Sequence, residues 1–226
     1  KLPTKNNNNS NNNLLSVVQL LKQISLQVEY GDLLGIVGDV GSGKTCLLNA
    51  ILNNLDILNN VNNTKQVILN GSVAYVPQTP WILNDTVQNN ILFFQEMDED
   101  KYNFIVDICA LKPDFQLLAA GDLTKIGDKG VNLSGGQKAR IAIARALYSD
   151  SDIYLFDDPL SALDAYVGMN IFNRVIKEYL KGKTVLLVTH ALQYIPFMTH
   201  VCHLNNGEID WFGTGEDAVK QEFYNK

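Results

Sequence analysis

The chain has 226 residues, of which 46% are hydrophobic and 19% charged, a balance that suits a globular domain with a substantial core. A formal net charge of −6 and a pI near 5.0 provide no basic patch, which argues against nucleic acid as a direct partner. No apolar run approaches the ~20 residues needed to span a bilayer, and the N-terminus shows no basic and apolar signal segment, so the chain reads as soluble.

In chain order, Lys5 to Asn13 reads KNNNNSNNN, a polar tract with nothing to bury. Residues 1–13 are therefore expected to be a disordered tail or insertion, ahead of one domain over 14–226. Leu20 to Val28 alternates apolar and polar residues and reads as a strand, and LLGIV at Leu33 to Val37 is a continuous apolar run. Runs of that kind fit buried parallel strands, whose two faces are both covered. Asn53 to Lys65 repeats the Asn-rich habit and reads as a loop, while Val67 to Val76 alternates again. The two alternating stretches are expected to form an antiparallel layer beside the main sheet.

From Asn84 to Tyr148 the pattern is mostly helical, broken at Pro113 and at the glycines 121, 127 and 130. It reads as an inserted helical subdomain, over about 84–148. IYLF (Ile153 to Phe156) and TVLLV (Thr184 to Val188) are two more buried strands. Between them Val167, Ile171, Phe172, Val175, Ile176 and Tyr179 form one helical stripe that Gly182 is placed to stop. The alternation of strands and helices implies an α/β architecture with a mostly parallel central sheet.

Three groups of residues carry chemistry. Directly after LLGIV comes GDVGSGKT, comprising Gly38, Asp39, Val40, Gly41, Ser42, Gly43, Lys44 and Thr45, with Cys46 opening the helical CLLNAIL. This fits G-x-x-x-x-G-K-[ST] in the strand, loop and helix context that the motif requires. The glycines let backbone N–H groups fold around phosphate oxygens, Lys44 reaches the β and γ phosphates, and Thr45 offers a hydroxyl to Mg²⁺. The core is thus a P-loop NTPase, RecA-like.

IYLFDD places Asp157 and Asp158 at the C-terminal tip of a buried strand, the edge at which open α/β sheets gather ligands. Asp157 is expected to hold Mg²⁺, with Asp158 facing the γ-phosphate. LSGGQ, Leu133 to Gln137, precedes the helical KARIAIARAL. Ser134 and Gln137 have the spacing of a capping box, but this leaves the successive glycines Gly135 and Gly136 unexplained. Glycines appear where something must approach the main chain, and a helix N-terminus favours an anion. Cys46, Cys109 and Cys202 are far apart, odd in number and show no metal spacing, so they read as reduced, buried thiols of a cytosolic protein.

With these residues the chain resembles the nucleotide-binding domains of ATP-binding cassette (ABC) transporters, whose signature is LSGGQ. The resemblance implies that Ser134, Gly135, Gly136 and Gln137 contact the γ-phosphate of an ATP held by the P-loop of a second cassette, head to tail. It further implies a Q-loop role for Gln78, in AYVPQTPW, joining Mg²⁺ and water to the transmembrane contact. SALD, Ser161 to Asp164, matches the loop that crosses the dimer interface, and His190, after TVLLVT, matches the switch histidine at the γ-phosphate. Catalytic roles accordingly fall on Asp158, His190 and Gln78, and metal contacts on Thr45, Gln78 and Asp157.

VAYVPQTPWILNDTVQNNILF, the stretch from TKIGDKG to SALDA and the hairpin VCHLNNGEIDWFGTG narrow the resemblance. They are similar to the first nucleotide-binding domain of multidrug resistance-associated proteins, the C subfamily of exporters. What this implies is an ATP- and Mg²⁺-binding ATPase domain at the cytoplasmic face of a membrane. Its partners would be a second cassette and the transmembrane domains of the same transporter, docked around Trp81 to Thr86, and the isolated chain is expected to be a monomer. Organic anions or conjugates are the implied cargo. A regulatory nucleotide sensor, as in the channel and sulfonylurea-receptor relatives, is the alternative, and a soluble cassette acting in translation or on DNA is disfavoured by the acidic balance and the TPWILNDTVQNNI stretch.

Two positions depart from the family pattern. Asp158 stands where competent members carry Glu, and its shorter arm predicts slow hydrolysis with intact ATP binding. The family also stacks adenine on an aromatic some two dozen positions before the P-loop. Here that stretch is Asn-rich, and Tyr30 lies too near Gly38. Either an insertion displaces the aromatic or base stacking is lost, at ~1–3 kcal/mol.

Overall fold

The computed structural model describes residues 19–55, 67–127 and 131–224. The expected tail at 1–13 and most of the second Asn-rich patch lie outside them.

Among the described residues six strands form one sheet: β1 (Leu33–Val37), β2 (Val73–Val76), β3 (Ile153–Asp157), β4 (Thr184–Val188), β5 (His200–Asn205) and β6 (Glu208–Thr214). Their order is β2-β3-β4-β1-β5-β6, with β2 to β5 and β1 all parallel and only the β5–β6 pair antiparallel. That pair is a hairpin closed by Asn206 and Gly207, at φ 50° and 81°. Two consecutive positive φ values make the turn that matches strand twist, and Asn-Gly is the pair that adopts it most readily.

The apolar runs are continuous because each strand feeds two cores. Leu34, Ile36, Leu155, Leu186 and Val188 face one cluster, which α1 (Lys44–Ile51) covers with Leu47 and Leu48. Val37, Tyr154, Phe156, Val185 and Leu187 face the other. A side-chain period of two along a strand buried on both faces yields an unbroken hydrophobic string.

That second face is covered by helices. Between β2 and β3 lie α2 (Val87–Leu92), α3 (Glu99–Ile108), α4 (Lys112–Leu117), a 3₁₀ turn at Gly121–Leu123 and α5 (Gly135–Tyr148). The helical reading of this stretch therefore matches the elements found there. The stripe from Val167 to Tyr179 is helical too, but only α6 (Ala165–Ile171) is α-helical, and Phe172–Tyr179 continues as a π-helix. Ile171, Phe172, Val175 and Ile176 are buried, and Gly182, at φ 88°, follows the end of the helix.

One expectation fails. The alternating stretches do not form an antiparallel layer: Val73–Val76 joins the parallel sheet beside β3, and Leu20 to Val28 pairs with no named strand. The alternation is nonetheless physical. Ile24, Leu26 and Val28 are half-buried against the α1-side cluster while Ser25 and Gln27 are exposed. Period two reports one-sided burial of extended chain, whether or not its backbone is bonded to a neighbour.

Cys109 and Cys202 are buried and Cys46 half-buried, all as free thiols. Burial pushes the Cys202 thiol up to about 12. Among the described residues no helix is long and apolar enough to cross a membrane.

Candidate nucleotide-binding site

Parallel strands deliver their C-terminal ends to one edge. There β1 runs into Gly38–Lys44, β2 into Pro77 and Gln78, β3 into Asp157 and Asp158, and β4 into Thr189 and His190. Register keeps these ends level, since Val188 is opposite both Ile36 and Asp157.

The loop after β1 turns through Gly38, Gly41 and Gly43, at φ 144°, 83° and 109°. At Gly38 a Cβ would lie 2.2 Å from the Leu204 carbonyl oxygen and 2.8 Å from Ser42 Oγ, so no other residue fits. Asp39, Val40 and Gly41 form an exposed tip. Lys44 is buried, and its ammonium donates to the carbonyls of Gly38 at 2.9 Å and Asp39 at 2.7 Å. Burial lowers its pKa, opposed by the charges of Asp158, Asp39 and Asp157. Ser42 is buried with its hydroxyl unpartnered. Thr45 Oγ1 donates to Asp157 Oδ1 at 3.1 Å, and Tyr75 contacts the other carboxylate oxygen at 3.4 Å. Burial and that carboxylate push the Tyr75 phenol up to about 12. Cys46 is in the first turn of α1, half-buried.

Asp158 is buried, in a left-handed conformation at φ 50°. Desolvation raises its pKa, against the charge of His190, the Ser161 side chain and the His190 backbone. His190 itself is exposed beside it. Gln78 is exposed at the same edge and makes no hydrogen bond to the cluster.

The LSGGQ segment caps α5 in the expected way. Gln137 N donates to Ser134 Oγ at 3.2 Å, and Ser134 N donates to Gln137 Oε1 at 2.9 Å. The two glycines differ. A Cβ on Gly136 would meet the Ala162 carbonyl oxygen at 3.1 Å, so this chain's own packing explains it. A Cβ on Gly135 would meet nothing within 4 Å. Ser134, Gly135 and Gly136 line an open cleft of about 500 Å³ with Arg140 and Ala162 to Asp164, to which the P-loop contributes no residue.

No sequence motif gives Asp114, Arg140, Arg145 or Tyr75 a role, yet each makes a contact at or beside these segments. Asp114 and Arg140 pair beside Gln137, at 3.0 Å. Arg145 lies 4.1 Å over the Trp81 ring and donates to Asn90 O at 2.7 Å, which fixes the half-exposed Trp81 and its neighbour Phe93. Arg140 falls three residues after Gln137, a helical spacing that could have signalled contact. Asp114 belongs to a different helix, and nothing local in sequence announces it.

A parallel sheet whose first strand enters a glycine-rich loop with a buried lysine, beside a strand ending in paired carboxylates, defines a P-loop nucleotide-binding domain. The profile of the ABC transporter family matches residues 21–161, and the chain belongs to that family, whose ATP-binding domains are ATPases. The chain is 47% identical over 202 residues to ABC transporter C family member 3 of Dictyostelium discoideum, covering 89% of this chain and 14% of that protein. It is 47% identical over 191 residues to ATP-binding cassette sub-family C member 2 of Homo sapiens, covering 84% of this chain and 12% of that protein. The Mus musculus protein of that name is 44% identical over 204 residues, covering 89% and 13%. The chain thus spans only 12% to 15% of the length of these relatives.

Proposed function

We propose that this chain is the first of two cassettes in a membrane exporter, binding Mg-ATP at its own P-loop and closing over a second cassette's ATP with its LSGGQ segment. The observation that carries this reading is the cleft at Ser134 and Gly135: it is open, glycine-lined, set on a helix N-terminus and separate from this chain's own P-loop residues. Such a surface is suited to an anion presented from outside.

The residues at the P-loop fit ATP and Mg²⁺. Ser42 offers a buried hydroxyl without a partner, and Lys44 is held by carbonyls alone, so both can turn to phosphate oxygens. Among the described residues no group of three His, Cys, Asp or Glu could hold a metal. Magnesium commonly takes one or two protein oxygens and completes its shell with phosphates and water, which suits Thr45 and Asp157, and Gln78, at the same sheet edge, would be the further group offered to that shell. When bound, the ion supplies charge neutralisation at the phosphate oxygens.

His190 and Asp158 then face the γ-phosphate. The Asp158 arm is shorter than that of Glu by roughly 1.5 Å, which withdraws the carboxylate from a water in line for attack. Binding is retained and hydrolysis at this site is slow, so turnover falls to the partner cassette, whose site this chain's Ser134 completes. Trp81 to Thr86, stiffened by Arg145, meet the transmembrane domains at the cytoplasmic face. Organic anions or conjugates are the cargo.

The test is a crosslink in the full-length parent. A cysteine at Ser134 should join a cysteine placed in the second cassette's P-loop only in the presence of ATP under non-hydrolysing conditions. Absence of that product in an active parent overturns the pairing.

A further inference from the structure

We infer that Asp114 is a positioning residue for the LSGGQ segment, acting through Gln137 and Arg140 on the surface that Ser134 and Gly135 present. This rests on the head-to-tail reading, since the surface is consequential only if a nucleotide meets it.

Asp114 is in the first turn of α4 and Gln137 in the first turn of α5. Gln137 Nε2 donates to Asp114 Oδ1 at 3.0 Å, while Gln137 Oε1 accepts from Ser134 N at 2.9 Å. A side-chain amide has one accepting and one donating end, and a carboxylate only accepts. Asp114 therefore admits only the NH₂ end, which forces the oxygen towards Ser134. With the amide reversed, oxygen would face carboxylate and NH₂ would face N–H, and both bonds would be lost.

Asp114 also holds Arg140. The guanidinium is 3.0 Å from Oδ2 and 3.2 Å from Oδ1, donates to Ala110 O at 2.6 Å, and reaches Gly136 O at 3.3 Å. The two side chains are only 14% and 13% exposed, so the pair is desolvated and geometrically fixed. Arg140 lines the cleft with Ser134 and Gly135. Its charge is thus tied to α4 and to the signature backbone, leaving the Ser134 hydroxyl and the first amides of α5 as the anion-facing donors. The capping box alone satisfies the helix end, and Asp114 adds a fixed polarity and position.

The experiment uses the full-length parent and photolabelling by 8-azido-ATP, resolved by cassette. Asp114→Ala should weaken labelling at the second cassette's P-loop about tenfold or more, as expected on loss of a charge-assisted hydrogen bond, with labelling at this chain's own P-loop unchanged. Gln137→Met, which keeps the side-chain shape and removes both bonds, should do the same, and because part of the Asp114 effect runs through Gln137 the double variant should lose less than the two single losses combined. Equal losses at both P-loops in both variants would mean general damage and overturn the inference. So would unchanged second-site labelling in a protein in which Ser134→Ala weakens it, a result that leaves the head-to-tail reading intact. If Ser134→Ala also has no effect, that reading fails and the inference with it.

Discussion

Thr45 Oγ1 lies 3.1 Å from Asp157 Oδ1 across 112 residues of sequence. The contact joins the first residues of α1 to the tip of β3, and it presents a hydroxyl and a carboxylate side by side, the pair that the proposed function assigns to Mg²⁺. Thr45→Ala and Asp157→Asn should each lower Mg²⁺-dependent affinity for a fluorescent ATP analogue by about tenfold or more. Affinity in EDTA should move much less, because Lys44 and the loop amides remain. Titrations with and without Mg²⁺ check this, and equal losses under both conditions would contradict it.

In the proposed function Asp158 is too short to reach the attacking water. Restoring the methylene with Asp158→Glu should raise ATPase activity at this site by ~10² or more when the partner cassette is present. Steady-state phosphate release, with the partner's own hydrolytic carboxylate removed, isolates the effect. If the gain is absent, arm length is not what limits this site.

Much of this site was legible in sequence because P-loop chemistry is local. Gly38 to Thr45 and Asp157 to Asp158 are contiguous strings at strand ends, and the capping box is read from two residues three apart. Asp114, Tyr75 and Arg145 were not legible as partners, because each meets its neighbour only through the tertiary fold: Arg145 and Trp81 are 64 residues apart. The misplaced antiparallel layer has a related cause. Alternation at Leu20 to Val28 records which side is buried, and no local pattern says whether a neighbouring strand pairs with the backbone.

Asp107 connects α3 to the helix that follows β3. Its carboxylate is held below the usual range by hydrogen bonds from Lys112 and then Arg174. A depressed carboxylate contributes stability that is fully present above the unfolded value, near 3.8, and is lost as pH falls through the lower folded value. The site is 37% exposed, which limits its worth. Asp107→Asn should therefore cost only ~0.5–1 kcal/mol near neutral pH. Denaturant unfolding from pH 7 down to pH 3 should show the gap to the wild type closing below the usual carboxylate value.

Gly135 and Gly136 separate what the fold needs from what a visitor needs. An alanine at Gly136 pushes its Cβ to 3.1 Å from the Ala162 carbonyl oxygen, so α5 and the loop after β3 must give by a few tenths of an ångström. An alanine at Gly135 meets open space, and in the first turn of a helix it removes the entropy that glycine costs, a gain of up to ~0.5–1 kcal/mol. Gly135→Ala should accordingly melt no lower than the wild type as an isolated chain, whereas Gly136→Ala should melt lower. In the full-length parent the order of concern reverses. Under the proposed head-to-tail pairing Gly135→Ala places a methyl on the face that meets the second cassette's nucleotide, and ATPase activity should fall at least tenfold, the equivalent of about 1.4 kcal/mol of lost transition-state contact. Thermal melting of the chain, set against ATPase of the parent, reads both arms, and full activity in a normally folded Gly135→Ala protein would show that nothing approaches this helix end.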